Sequence, residues 1–251
     1  MIARREAILK IIQQKKSVST EFLSTQFQVT EETIRKDLID LHSKGFIIRT
    51  LGGAVIREDY DPPFYKRSAA NLALKQAIVK RALTYISERD CIALDAGSTN
   101  VELAKLITAE LKVVVLTNSL EIINILSGID DIKVISTGGV LNPKFRSFGG
   151  RLVDICIDQY NIKKVFLSSN AVSLEEGVMD SNDANVLIKR KLVEAAKEKY
   201  LLADHTKFSR IAHETVCPID KINRIITDSG TDREKLQEIS KAGVDIDVVD
   251  V

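Results

Sequence analysis

Residues 95–100 read Asp-Ala-Gly-Ser-Thr-Asn, directly ahead of the helix-patterned stretch VELAKLI. Gly97 would permit a tight turn, and Ser98 and Thr99 offer hydroxyls and backbone N–H groups at a helix start, which suits a phosphate. Ser and Thr also begin many helices merely as caps, so this loop alone leaves both readings open. Gly138-Gly139 can bring bare N–H groups to the same anion, and Lys207 can add a point charge. Far upstream, Arg35-Lys36 stands early in another helix-patterned run, behind Thr30 and Thr33. That pair suits a larger anion, the phosphates and base edges of a nucleic acid.

These groups can act together only if the chain places them together. From residue 71 onward the β-branched runs CIALD, KVVVLT, IKVIST, KKVFLSS, KYLLAD, NRIIT and VDIDVV alternate with helical patterns. Alternation of this kind predicts right-handed βα units and a Rossmann-like, mostly parallel sheet with helices on both faces. The loops that follow the first five runs contain Asp95–Asn100, Thr117-Asn118-Ser119, Thr137-Gly138-Gly139, Asn170 and Asp204-His205-Thr206-Lys207. In a parallel sheet such loops gather at the carboxyl edge, where open α/β folds bind ligands. One cleft should therefore receive all five.

The N-terminal stretch has a different organisation. Ile8, Leu9, Ile11 and Ile12 stripe a first helix over about 3–14, and Ser19 or Thr20 can cap a second with Phe22, Leu23 and Phe27. Thr30 caps a third, in which Ile34, Leu38 and Leu41 face inward and Arg35 and Lys36 do not. Gly45 is placed to end that helix, and the runs 46–50 and 54–57 flank Gly52-Gly53 as a hairpin. Three helices and a hairpin make a winged helix-turn-helix, whose third helix enters the major groove of duplex DNA. Thr30, Thr33, Arg35 and Lys36, with Arg49, Gly52 and Gly53 of the wing, are the candidate DNA contacts.

Composition is compatible with this division. The 251 residues carry a net charge of only +1, but residues 1–57 hold ten Lys/Arg against six Asp/Glu, or +4, leaving −3 for the remainder. A basic head on a mildly acidic body suits a head that meets a polyanion. No run approaches the roughly 18–20 apolar residues that span a bilayer, and the N-terminus does not read as a signal peptide, so a cytoplasmic protein is expected. Cys91, Cys156 and Cys217 lack ligand or disulfide spacing and read as packing residues. Asp-Pro-Pro at 61–63 blocks helix and marks the boundary, giving a head of 1–57, a connector of 58–70 and a body of 71–251. Phe64, Tyr65 and Arg67 read as residues that dock the connector on the body.

Val29-Thr30, Thr33–Leu38, Gly45, Arg49 and Leu51-Gly52-Gly53-Ala54 resemble the N-terminal signature of the DeoR family of bacterial transcriptional repressors. LDAGSTN, VLTNS, STGGVLN, EEGVMDSNDANVLIKRKLV and LLADHTKF extend that resemblance over nearly the whole chain. Where the family usually has a second Arg this chain has Lys36, and where it has a His before the Gly pair this chain has Leu51. The resemblance implies a sensor domain like ribose-5-phosphate isomerase that answers to a phosphorylated sugar or related metabolite. By it Asp95, Gly97, Ser98, Thr99, Thr117, Asn118, Gly138, Gly139, Asp204 and Lys207 line the effector pocket, with Asp183 a further candidate. It also implies double-stranded operator DNA as partner, a homo-oligomer (dimer or tetramer), and no cofactor or metal. The rival reading is a sugar-phosphate isomerase with an accessory DNA-binding head. Such an enzyme would place an acidic cluster after its middle strand, where STGGVLNP is read here, without a carboxylate.

Overall fold

The computed structural model describes residues 2–43, 46–56 and 62–251. The chain divides into two compact units, Met1–Asp61 and Pro62–Val251. Gly45, the expected helix terminator, lies outside the described residues, as do Arg57 and residues 58–61 of the connector.

The first unit runs α1 (Ile2–Lys15), β1 (Ser17–Ser19), α2 (Thr20–Phe27), α3 (Glu31–Ser43), β2 (Ile47–Thr50) and β3 (Gly53–Ile56). Ser19 caps α2 by accepting from the Phe22 N–H at 3.0 Å, and the Thr30 hydroxyl accepts from the Thr33 N–H ahead of α3. Ile8, Ile12, Leu23, Ile34, Leu38 and Leu41 form the core with Phe46, Ile47 and Ala54. The hairpin β2–β3 is antiparallel, and β1, which the sequence reading did not anticipate, adds to its other edge in the order β1-β3-β2. Three residues are too short a run to register as a periodic strand.

The second unit opens with α4 (Phe64–Ala69) and α5 (Leu72–Leu83). Asp-Pro-Pro was expected to block helix in this connector, but the prolines only delay it: Pro63 is the N-cap residue, and α4 starts directly behind it. Then follow β4 (Cys91–Leu94), α6 (Ser98–Ala104), β5 (Val114–Thr117), α7 (Leu120–Leu126), β6 (Lys133–Ser136), β7 (Val140–Asn142), β8 (Ser147–Gly149) and α8 (Arg151–Ile157). The chain continues through β9 (Lys164–Ser168), β10 (Ala171–Ser173), β11 (Gly177–Asp180), α9 (Asp183–Ala195), β12 (Glu198–Leu202), β13 (Glu214–Cys217), β14 (Arg224–Asp228), α10 (Arg233–Lys241) and β15 (Asp245–Val249).

All seven runs read as strands enter one sheet, in the order β15-β14-β12-β9-β4-β5-β6. Every pairing in it is parallel, so the loops after these strands leave from one rim. One apolar layer is built on Val165, Leu167, Leu192 and Leu201, and the other on Ile92, Leu94, Val115 and Phe166, which places core on both faces. Two antiparallel additions, the hairpin β7–β8 and the sheet β10-β11-β13, stand apart from the main sheet. The middle strand is β9, not the strand before STGGVLNP, which is the edge strand β6. The loop after β9 is Ser168-Ser169-Asn170, again without a carboxylate.

Candidate functional site

The geometry of the first unit is set by α3. Its apolar residues Ile34, Leu38 and Leu41 are buried, and Asp37, buried beside them, receives Arg4 Nε at 2.6 Å and Arg5 Nε at 2.8 Å. Burial alone would raise the Asp37 pKa; the hydrogen bonds and charges of the two arginines outweigh it and hold the carboxyl below its usual value. This clamp ties α1 to α3 and leaves the opposite side of α3 to solvent. There Arg35 reaches back to Glu31 at 3.0 Å and Lys36 to Glu32 at 4.0 Å, with Arg35 55% and Lys36 72% exposed. Thr30 and Thr33 share a hydrogen bond between their hydroxyls at the helix start. Arg49 is exposed on β2, and Gly52 turns the hairpin with a positive φ of 88°. All the candidate DNA contacts but Gly53 thus lie at least partly open to solvent on this unit; Gly53 is buried under Val18.

At the carboxyl rim of the second unit, a small cleft is lined by Arg67, Asp95, Ala96, Gly97, Asn118, Ser168, Asn185, Ile188 and Lys189. It encloses about 10 Å³, room for roughly one water. Asp95 is its structural hub. The carboxylate accepts from the Gly97 N–H (2.8 Å), Asn100 Nδ2 (2.7 Å), the Ser168 N–H (3.0 Å) and the Ser168 hydroxyl (3.0 Å). Lys189 Nζ lies 3.3 Å from it and donates also to Asp180 and to the Ser168 carbonyl. Lys189 is buried; desolvation pulls its pKa down, but Asp180 and Asp95 outweigh it and keep the ammonium charged. Asp95 is therefore saturated by the protein, and its chemistry is to fix the loop.

Gly97 is required here for a reason other than the turn expected of it. Its backbone is ordinary and extended (φ −77°, ψ 144°), but a Cβ would stand 1.7 Å from Ser168 Oγ. Ser98 and Thr99 occupy the first turn of α6, nearly buried, with Gly97 as the N-cap residue ahead of them. Thr117 is spent on the fold, donating to the Leu94 carbonyl (2.7 Å) and accepting from the Ser119 N–H (3.1 Å). Asn118 faces the cleft; its Nδ2 donates to the Phe148 carbonyl, and its buried Oδ1 has no hydrogen-bond partner. Gly138 and Gly139 lead from β6 into the hairpin β7–β8, both with left-handed backbone. Asp183 is exposed in the first turn of α9 and does not line the cleft.

Asp204 follows β12 and accepts from the Thr206 N–H (3.0 Å) and Asn71 Nδ2 (3.3 Å). Burial raises its pKa, but the Lys207 charge and these hydrogen bonds prevail and hold it low. The neighbouring His205 is fixed by Asp228, Nδ1 to Oδ2 at 2.6 Å. Two cations escaped the sequence reading as site residues. Arg67, read as a docking residue of the connector, enters the cleft from α4, stacks 5.3 Å from the Phe145 ring centroid, and buries Nε and Nη2 without a hydrogen-bond partner. Lys75 of α5 is buried and donates to the carbonyls of Arg67 and of Ala70, the latter at 2.7 Å, so it seals the end of α4. Burial, and then the Lys207 charge, pull its pKa down to about 8. The spacing of Arg67 and Lys75 on two separate short helices has no periodic signature, and only their positions next to the motif loops give them meaning.

The cysteines are free thiols, and burial pushes all three pKa values up, Cys217 to about 11, as fits packing residues. Among the described residues no helix is long and apolar enough to cross a membrane.

Residues 4–59 match the family profile "DeoR-like helix-turn-helix domain", and residues 70–229 match "DeoR C terminal sensor domain". Over 248 residues the chain is 33% identical to the uncharacterized HTH-type transcriptional regulator YulB of Bacillus subtilis (strain 168), covering 98% of this chain and 96% of that one. Over 227 residues it is 34% identical to the L-fucose operon activator of Haemophilus influenzae, covering 90% and 91%. A solved ribose 5-phosphate isomerase A from Methanocaldococcus jannaschii superposes on 55% of this chain and 55% of that one, with a TM-score of 0.40 at 17% identity. Two successive domain matches in this order, with full-length relatives that regulate transcription, leave one conclusion: the chain belongs to the DeoR family of DNA-binding transcriptional regulators, which are not enzymes.

Proposed function

We propose that this regulator is a repressor of a carbohydrate operon, acting in the cytoplasm, and that a phosphorylated sugar or related anionic metabolite binds at the carboxyl rim of its second unit. The observation that carries the reading is Arg67, whose buried guanidinium nitrogens have no acceptor. An unmet buried donor costs about 1–3 kcal/mol, more when charged, and an anionic oxygen would relieve it. Asn118 Oδ1, orphaned in the same cleft, calls for a donor such as a hydroxyl. A sugar phosphate carries both groups on one small molecule. Lys75, Lys207, Ser98, Thr99, Gly138, Gly139 and Asp204 lie outside the lining of the closed cleft, and on this reading they are the further contacts that an opened cleft offers the ligand. The kinship with a fucose operon activator supports a carbohydrate circuit.

With about 10 Å³ enclosed, the cleft admits such a ligand only if Arg67 yields. Arg67 belongs to α4, which begins three residues beyond the end of the first unit. Ligand entry therefore displaces the segment through which the head (1–57) is joined to the body (71–251). For this to change operator affinity, the effector must bind the displaced arrangement more tightly than the closed one. Paired heads of a dimer or tetramer would then fit repeated half-sites of double-stranded DNA differently.

The test is a thermal-shift panel of sugar phosphates and their unphosphorylated counterparts on the full chain, followed by gel shift with operator DNA. A rise in melting temperature with a phosphorylated sugar only, altered DNA affinity and no turnover support the reading. Equal responses to phosphorylated and plain sugars, or no response to any, would overturn it.

A further inference from the structure

Residues 30–36, Thr-Glu-Glu-Thr-Ile-Arg-Lys, open the helix that a helix-turn-helix regulator lays in the major groove, N-terminal residues toward the base edges. Their charges nevertheless cancel, Glu31 and Glu32 standing against Arg35 and Lys36. The net +4 of residues 1–57 therefore comes from elsewhere in the head. Both acids are exposed, Glu31 by 46% and Glu32 by 66%, and each is paired with a cation one turn on. Glu31 Oε2 accepts from Arg35 Nη2 at 3.0 Å, whereas Glu32 and Lys36 stand 4.0 Å apart. Pairs in this order support a helix modestly, and acids in a first turn suit its dipole. Any helix can have those benefits, but this one presents its carboxylates to a duplex that carries one negative charge per roughly 1.7 Å.

The direct contact between Glu31 and Arg35 links the two charges in recognition. On any duplex Arg35 can exchange Glu31 for a phosphate oxygen, but the exchange leaves the carboxylate unpaired in the negative field of the backbone. A G·C pair removes that penalty. Guanine O6 and N7 accept from an arginine, and the N4 amino group of cytosine donates to a carboxylate. Side chains four residues apart on a helix stand roughly 5–6 Å apart at Cβ, within reach of one base pair or of two stacked pairs. We propose that Glu31 is a specificity-determining residue of DNA recognition: it lowers affinity for DNA at large and is satisfied at a G·C pair, where Glu31 and Arg35 each gain a base-edge contact. Attraction to the backbone is left to cations without so close an acid, among them Lys36 on α3.

The experiment compares full-length wild type with Glu31→Gln, which keeps the side chain's length and removes its charge. Each protein selects duplexes from a random-sequence library. Each is then titrated by fluorescence anisotropy against the duplex that the wild type selects and against an unrelated one, between about 50 and 200 mM salt. Wild-type selections should hold one contacted position at G·C, and Glu31→Gln should lose that preference. The variant should bind the unrelated duplex roughly threefold to tenfold tighter, and its slope of log affinity against log salt should steepen by up to about one phosphate contact. In an Arg35→Ala background Glu31→Gln should leave the slope unchanged. Glu31→Ala, which carries the best helix former, should repeat these changes, so a folding fault in one variant does not decide the result. Unchanged slope and base preference in both Glu31 variants, or the same steepening with and without Arg35, would overturn the proposal. So would an equal loss of affinity for both duplexes with a lowered melting temperature, which would reduce the pair to helix support.

Discussion

In the first unit Arg35 and Lys36 lie in solvent, each leaning on an acidic side chain one helical turn back, whereas in the second Lys189 is enclosed between Asp95 and Asp180. Exposed pairs of the first kind contribute little to stability and exchange readily for phosphate oxygens, so they suit a macromolecular partner that arrives and leaves. An enclosed pair cannot exchange. Removing one member strands the other in a dry interior, so Lys189 is architecture even though it borders the cleft. Between these extremes stand Arg67 and Lys75, buried but incompletely or only locally satisfied. On the proposed reading, burial without full satisfaction separates a sensing cation from a structural one.

The sharpest way to break this comparison is Lys189→Ala, which should cost about 3–5 kcal/mol in chemical denaturation, since two buried carboxylates lose their counter-charge. A loss within 1 kcal/mol would place Lys189 with the exchangeable cations. Next in size, Asp37→Asn should cost about 1–3 kcal/mol by loosening Arg4 and Arg5, read from the melting of the first unit. The same clamp has an acid signature: the Asp37 pKa is held below 3.8, so its contribution is whole above that value and is lost as pH falls through the lower, folded-state pKa. Arg35→Ala should leave the melting temperature unchanged yet weaken operator binding roughly fivefold to a hundredfold in gel shift. An unaltered affinity would remove Arg35 from the interface.

The smallest effect concerns pH and the effector. Lys75 has its pKa lowered to about 8, so its ammonium is present below that value and disappears above it. Affinity for a phosphorylated sugar, measured by calorimetry, should fall up to about tenfold between pH 7 and 9, and Lys75→Met should abolish that dependence. A wild type whose affinity is flat over this range would exclude Lys75 from the electrostatics of the site.

Much of the scaffold was legible because its signals are periodic. Seven β-branched runs became seven strands, and the i, i+4, i+7 spacing of Ile34, Leu38 and Leu41 became the buried side of α3. The loops of the rim were legible as well, since parallel pairing sends them all one way. The division of labour within the rim was not. Asp95 and Thr117 look like ligand groups in a sequence, but their hydrogen bonds are consumed by Asn100 and Ser119 close by and by Ser168 and Leu94 far away in the chain, and no local pattern announces the distant pair. Conversely Arg67 looked like a connector residue docked on the body, because nothing local says that α4 folds back over the cleft. Strand order also eluded pattern reading, so the strand before STGGVLNP was taken as central when β9 holds that place. Residue type announces capability; only three-dimensional neighbours decide whether that capability is already spent.

The short strand β1 has a consequence for how the protein approaches a duplex. It pairs with Gly53, Ala54 and Val55 of β3, the Thr20 N–H donates to the Gly52 carbonyl at 2.7 Å, and a Cβ at Gly53 would meet the Val18 carbonyl at 2.1 Å. The hairpin is thereby stitched to the start of α2 and cannot swing as a loose flap. Recognition helix and flanking ribbon are preorganised as one rigid jaw, and little conformational entropy remains to be surrendered when that jaw closes on its target.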